Sequence, residues 1–209
     1  MRMRFSSAAA LAAIAFSLAG CATMGGKAAA DVANPTAQVG AYRDTIDLSG
    51  RLSVTYQKDG QPQYLNGKFN WTQRPGRIDV SLADPLGSTV AEIEVTPQAA
   101  TLKQGNRQPR TAADIDTLTA QALGFPLPVS GLRDWLQGYA TDTQGKRFAA
   151  SPANGSVVTN DGWRVAFVTW RDPVAAGGAA PAPLRIDVKR GVAANGDALD
   201  IRILLDAPN

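Results

Sequence analysis

Leu48-Ser49-Gly50-Arg51-Leu52-Ser53-Val54-Thr55-Tyr56 decides the fold. Leu48, Gly50, Leu52, Val54 and Tyr56 alternate with Ser49, Arg51, Ser53 and Thr55, so an extended chain here has one apolar and one polar face. The same period continues through Leu65, Gly67, Phe69 and Trp71, then Ile78, Val80 and Leu82, with Asp59-Gly60 and Pro75-Gly76 as turns between the runs. Strands from Thr89 to Thr96 and from Ala100 to Gln104 follow. Further along, Trp163, Val165, Phe167 and Thr169 share one face, as do Leu184, Ile186 and Val188, then Leu199, Ile201, Ile203 and Leu205. Short connections make consecutive strands neighbours, which is a meander.

The middle of the chain switches period. Thr111 is read as the cap of a helix carrying Ile115, Leu118 and Leu123, with Asp114 in its first turn and Gly124 and Pro126 at its end. Ser130 is read as the cap of a second helix with Leu132, Trp135 and Leu136, closed by Gly138. A further short helix is expected over Gln38 to Ile46. Pro173 to Pro183 is an Ala/Gly/Pro loop without packing power.

The fold class is therefore mainly β (α+β): an open antiparallel half-barrel meander covered by short helices. A single curved sheet has one apolar face that needs a cover, and the two helices are its only candidates. They are small, so the arrangement suits a container for an apolar ligand. Periodicity does not separate an apolar cavity from a fully packed core. The tryptophans Trp71, Trp135 and Trp163 fit either reading.

Composition narrows the chemistry. Histidine is absent, which removes Ser-His-Asp and Cys-His centres and every His-containing zinc site. The only glutamates, Glu92 and Glu94, fall on one face of a strand and read as its solvent side, with Ala91, Ile93 and Val95 turned inward. No phosphate-binding glycine loop is present, and neither cofactor nor metal is expected.

The N-terminus has its own logic. Arg2 and Arg4 precede an apolar run from Ala8 to Leu18, then Leu18-Ala19-Gly20-Cys21. That is a positive start, an apolar middle and small residues at a cut. The run is shorter than the ~20 apolar residues of a spanning helix. Cys21, the single cysteine, resembles the lipobox cysteine that becomes an acylated N-terminus, and Ala22 in place of aspartate resembles the outer-membrane sorting pattern. Loss of residues 1–20 takes the basic count from 21 to 19 against 18 acidic side chains, so nothing in the charge argues for nucleic acid. Residues 21–40, rich in Ala and Gly, read as a flexible tether, and 41–209 as the domain.

Phe69-Asn70-Trp71, Asp84-Pro85-Leu86-Gly87-Ser88-Thr89, Leu127-Pro128-Val129, Leu132-Arg133-Asp134-Trp135-Leu136-Gln137-Gly138 and Gly162-Trp163-Arg164-Val165 resemble, in order and spacing, the LolB family of outer-membrane lipoprotein receptors. The resemblance spans roughly residues 41–205. It implies a lipid-anchored monomer at the periplasmic face of the outer membrane. Such a protein accepts acylated lipoproteins from the soluble carrier LolA and places them in outer-membrane lipid. No covalent bond changes, so it is not an enzyme. The acyl-chain cavity expected on this basis comprises Leu52, Val54, Phe69, Trp71, Ile78, Val80, Leu82, Ile93, Trp135, Trp163, Val165 and Phe167.

The matching family leucine makes Leu86, within Asp84-Pro85-Leu86-Gly87, the expected membrane-entering tip. From the residues alone, a solitary exposed leucine is an equal reading. Arg51, Arg133 and Arg164 read as a solvated face, with an acidic carrier or anionic lipid as the other possibility. The rival functions are another lipid-binding envelope lipoprotein and a non-catalytic scaffold subunit of an envelope assembly.

Overall fold

The computed structural model describes residues 37–58, 60–123, 127–171, 178–190 and 198–207. Six strands come first: β1 (Ile46–Lys58), β2 (Gln61–Arg74), β3 (Arg77–Ala83), β4 (Thr89–Val95), β5 (Ala100–Lys103) and β6 (Arg110–Ala112). Two helices follow, α1 (Ile115–Leu123) and α2 (Val129–Trp135). Then come β7 (Tyr139–Thr141), β8 (Arg147–Ala149), β9 (Ser156–Val158), β10 (Trp163–Trp170), β11 (Pro183–Arg190) and β12 (Leu199–Leu205).

Ten strands form one antiparallel sheet in the order β6-β5-β4-β3-β2-β1-β12-β11-β10-β9, and β7-β8 is a separate hairpin. The sheet is two meanders joined by one long-range seam. In that seam Leu52 stands opposite Ile203 and Val54 opposite Ile201. β6 and β9 do not pair with each other, so the sheet curves without closing. Glycine permits the curvature. A Cβ on Gly50 would stand 2.3 Å from the Leu204 carbonyl oxygen, and one on Gly67 would stand 2.6 Å from that of Ala83. Neighbouring backbone thus approaches the inner face at the two positions that carry no side chain.

The inner face holds the core, with Val54, Phe69, Trp71, Val80, Ile93, Val165, Ile186, Val188, Ile201 and Ile203 all buried. Around β10 the aromatics form their own packing group. Trp135 meets Trp163 edge-on at 6.2 Å, while Phe167 stacks on Phe148 at 6.4 Å and leans on Trp170 at 6.3 Å.

Four expectations are corrected. Thr111 lies in β6 opposite Thr101. The cap of α1 is Asp114, whose Oδ1 accepts the Thr117 amide at 2.8 Å. That amide, with the Thr117 hydroxyl, holds the Asp114 carboxyl below the usual carboxylate range. Ser130 is already inside α2, which follows Pro128, and its hydroxyl donates to the Asp116 carboxylate, clamping α2 to α1.

The segment before β1 is not helical but a strap. The Val39 amide donates to the Ala150 carbonyl at 2.9 Å. Gln137 exchanges two 3.0 Å hydrogen bonds with the Arg43 backbone. These tertiary partners replace the local bonds a helix would have made. Finally, Thr169 is exposed because the β10–β11 register shifts after Phe167. Gly124 and Pro126 lie outside the described residues.

Candidate functional site

Under α2 the inner face of the sheet leaves an apolar hollow of about 80 Å³. Its wall comprises Leu52, Val54, Leu65, Phe69, Trp71, Val80, Leu82, Ile93, Ile201 and Ile203 from the strands. Leu127, Val129, Leu132 and Leu136 form its roof. Every lining side chain is apolar. The one polar atom attached to the wall, Trp71 Nε1, donates to Gln73 Oε1 at 3.4 Å. Such a surface offers hydrocarbon burial and nothing that orients a polar ligand.

Seven of the twelve expected cavity residues line this hollow: Leu52, Val54, Phe69, Trp71, Val80, Leu82 and Ile93. Ile78, Trp135, Trp163, Val165 and Phe167 do not. The last four pack as core around β10, and half-buried Ile78 packs against the core from β3. The seven lining residues missing from the expected set carried visible signals. Leu65, Ile201 and Ile203 alternate with polar residues, and Leu132 and Leu136 are the apolar stripe of α2. Placing them together needs the β1–β12 seam and the helix position, which periodicity does not supply.

The half-buried part of the lining consists of leucines: Leu52, Leu65, Leu82, Leu127 and Leu132. Leu82 stands two residues from the β3–β4 hairpin. There Asp84 donates its amide to the Ser88 carbonyl at 2.9 Å and accepts the Gly87 amide at 3.0 Å. Asp84 Oδ1 accepts the Ser88 amide at 2.9 Å. Gly87 has φ +99°, the left-handed region that completes a three-residue hairpin loop. Leu86 is held at the apex, 93% exposed.

Behind the apex the β3–β4 register shifts. Leu82 pairs with Ala91 and Ala83 with Thr89, so Val90 is the extra residue and turns outward, 48% exposed. Pro85, Leu86 and Val90 together make an apolar tip. Val90 was not expected there; an apolar residue at the start of a strand gives no hint that it is bulged.

The other candidates are surface features. Glu94 receives Arg77 Nη1 at 3.0 Å and Glu92 is exposed, so the glutamate pair is part of an outer charged face. Among the described residues no group of three or more Asp, Glu, His or Cys side chains is placed to hold a metal. No helix among them is long and apolar enough to cross a membrane. Cys21 lies outside the described residues.

A curved open sheet, an entirely apolar hollow and a short helical roof define a half-barrel container. The chain belongs to the LolB family: residues 44–207 match the family model for outer membrane lipoprotein LolB. An outer-membrane lipoprotein LolB of Cupriavidus taiwanensis is 40% identical over 161 residues, 76% of this chain and 78% of its own. One from Thiobacillus denitrificans is 30% identical over 200 residues, 95% of each chain. Among solved structures, a LolA superfamily protein from Nitrosomonas europaea aligns with a TM-score of 0.43 at 8% identity, covering 81% of this chain and 90% of its own.

Proposed function

We propose that this protein receives acylated lipoproteins from the periplasmic carrier LolA, shelters their acyl chains in the hollow under α2, and releases them into the outer membrane. The supporting observation is positional: Leu82, a half-buried leucine of the hollow's wall, stands two residues from the leucine-tipped hairpin. In this reading residues 1–20 are a removed signal, Cys21 carries the lipid anchor, and 21–40 tether a monomeric domain to the periplasmic face.

Energetics explain the need for a handoff. Each buried methylene is worth ~0.8 kcal/mol, so one chain of about 16 carbons represents roughly 13 kcal/mol. Passage through water is prohibitive on that scale. The hollow of about 80 Å³ is well below the ~300 Å³ at which ligand pockets begin, so it holds only part of one chain as it stands. Loading therefore requires the hollow to widen between the Leu127–Leu136 roof and the sheet. No covalent step is involved.

Leu86→Glu tests the release step. The side chain makes no core contact, so the variant folds and accepts cargo from the carrier. Delivery fails, because a carboxylate enters hydrocarbon only at high cost. Acceptance and membrane incorporation are measured separately with reconstituted components. Normal delivery by Leu86→Glu sinks the tip reading, and loss of acceptance reassigns Leu86 to carrier docking.

A further inference from the structure

The outer face of the sheet beside the hairpin carries a second hollow, of about 420 Å³, whose lining includes Arg51, Ser53, Asn66, Lys68, Pro85 and Arg202. It is basic. Arg51 and Lys68 are direct cross-strand partners in the β1–β2 ladder. Like charges directly opposite each other destabilise a sheet. Neither side chain forms an ion pair or hydrogen bond with any described residue. Arg202 adds a third cation, held only loosely, with its Nε 3.5 Å from Asp187 Oδ1. The nearest hairpin acid, Asp84, accepts the Ser88 amide through Oδ1 and forms no ion pair with Lys68.

We propose that Arg51 and Lys68 bind the headgroup phosphates of anionic phospholipid and so seat the protein on the bilayer beside the Leu86 hairpin. This rests on the tip reading given above. Depth supports it. Lys68 pairs with Ala83, three residues before Leu86. At ~3.3 Å per residue the apex lies at most about 10 Å further on. The headgroup layer is roughly 5–8 Å thick on each side of the hydrocarbon. A leucine just inside hydrocarbon therefore leaves the Lys68 ammonium, on its flexible stem, at the level of the phosphates. An anion between Arg51 and Lys68 also relieves their mutual repulsion. Each cation held at an anionic surface raises membrane affinity about fivefold.

The test uses the full lipidated protein, reconstituted through its own anchor into phosphatidylcholine vesicles with or without phosphatidylglycerol. Amine acylation followed by peptide mass analysis reads each lysine. Lys68 labelling is expected to fall several-fold when phosphatidylglycerol is present, while Lys146 in the β7–β8 turn keeps its rate. Equal Lys68 labelling in both vesicles overturns the proposal, whatever delivery does.

In the same vesicles phosphatidylglycerol is expected to speed delivery by the wild type, and Arg51→Gln/Lys68→Gln should still accept cargo but lose that gain. Lost acceptance would make the surface a protein dock and overturn the proposal, as would an unchanged preference for phosphatidylglycerol. Protection of Lys68 together with normal delivery by Leu86→Glu would sink the tip reading and leave the headgroup site standing.

Discussion

The Gln73 side-chain amide donates to the Tyr42 hydroxyl at 3.0 Å, joining the strand that lines the hollow to the strap that precedes the sheet. Gln73 is 1% exposed, and its carbonyl oxygen is already taken by Trp71 Nε1. Arg133 Nε, on α2, donates to the same hydroxyl at 3.2 Å. One phenol thus ties wall, strap and roof together. Tyr42→Phe removes only an oxygen but leaves a buried amide hydrogen unpaired, a loss of about 1–3 kcal/mol. Urea unfolding should show a lower midpoint with an unchanged slope; an unchanged midpoint would show that water replaces the phenol.

Phe69 and Phe167 are both buried on the inner face, yet only Phe69 lines the hollow. Substitution to alanine should separate them. Each costs about 3–5 kcal/mol of stability. Phe69→Ala should also change acyl-chain binding, read as displacement of a fluorescent fatty acid. Phe167→Ala should leave the affinity of the folded fraction as it was. Identical binding changes in the two variants would mean that the hollow extends to β10.

Gly50→Ala tests the curvature. Its Cβ would stand 2.3 Å from the Leu204 carbonyl oxygen and 2.9 Å from the Phe69 ring. The β1–β12 seam must then shift, at a cost of about 1–3 kcal/mol. Gly60→Ala is the control: it has φ +73° and open space around it, so backbone strain of about 1–2 kcal/mol is the whole cost. Amide exchange should accelerate along β12 in Gly50→Ala alone. Equal exchange in both variants would remove the packing argument.

Asp187 provides the pH dependence. Burial pushes its carboxyl up, but the hydrogen bonds from Arg185 and the charges of Arg185 and Arg202 outweigh burial and leave it below the ordinary value. Arg185 Nη2 lies 2.6 Å from Asp187 Oδ2. A depressed folded value gives stability that is present above the unfolded pKa of ~3.9 and is lost as pH falls through the folded one. Melting temperatures of the wild type and Asp187→Asn should therefore differ by a constant amount from neutrality to about pH 4 and converge below it. A gap that persists at the lowest pH would assign the effect to geometry rather than charge.

The strands that flank the hollow are legible because a half-buried strand has to alternate, and the apolar runs of β1, β2 and β3 do so without interruption. The β1–β12 seam is not legible. It joins residues about 150 positions apart, such as Leu52 and Ile203, and alternation identifies a face but not a neighbour. β7, β8 and β9 are three residues each, too short for any period to register. The strap is illegible for a related reason. Val39 and Ile46 are seven residues apart, a helical spacing, yet Val39 is buried by packing on Gly138, which has no side chain to oppose it. The hairpin at Asp84 is readable because Asp84, Pro85 and Gly87 stand at the first, second and fourth positions of a turn. The bulge that turns Val90 outward is not, since it depends on pairing.

The unjoined edges β6 and β9 have a mechanical consequence. In a closed barrel, strand number and shear set the diameter, and widening the lumen means breaking ladder hydrogen bonds. An open arc has no such hoop stiffness. Its radius can change by small adjustments of twist at every strand pair, with each backbone bond retained. Capacity is then elastic, and cargoes of different girth meet a container that resists them by degrees.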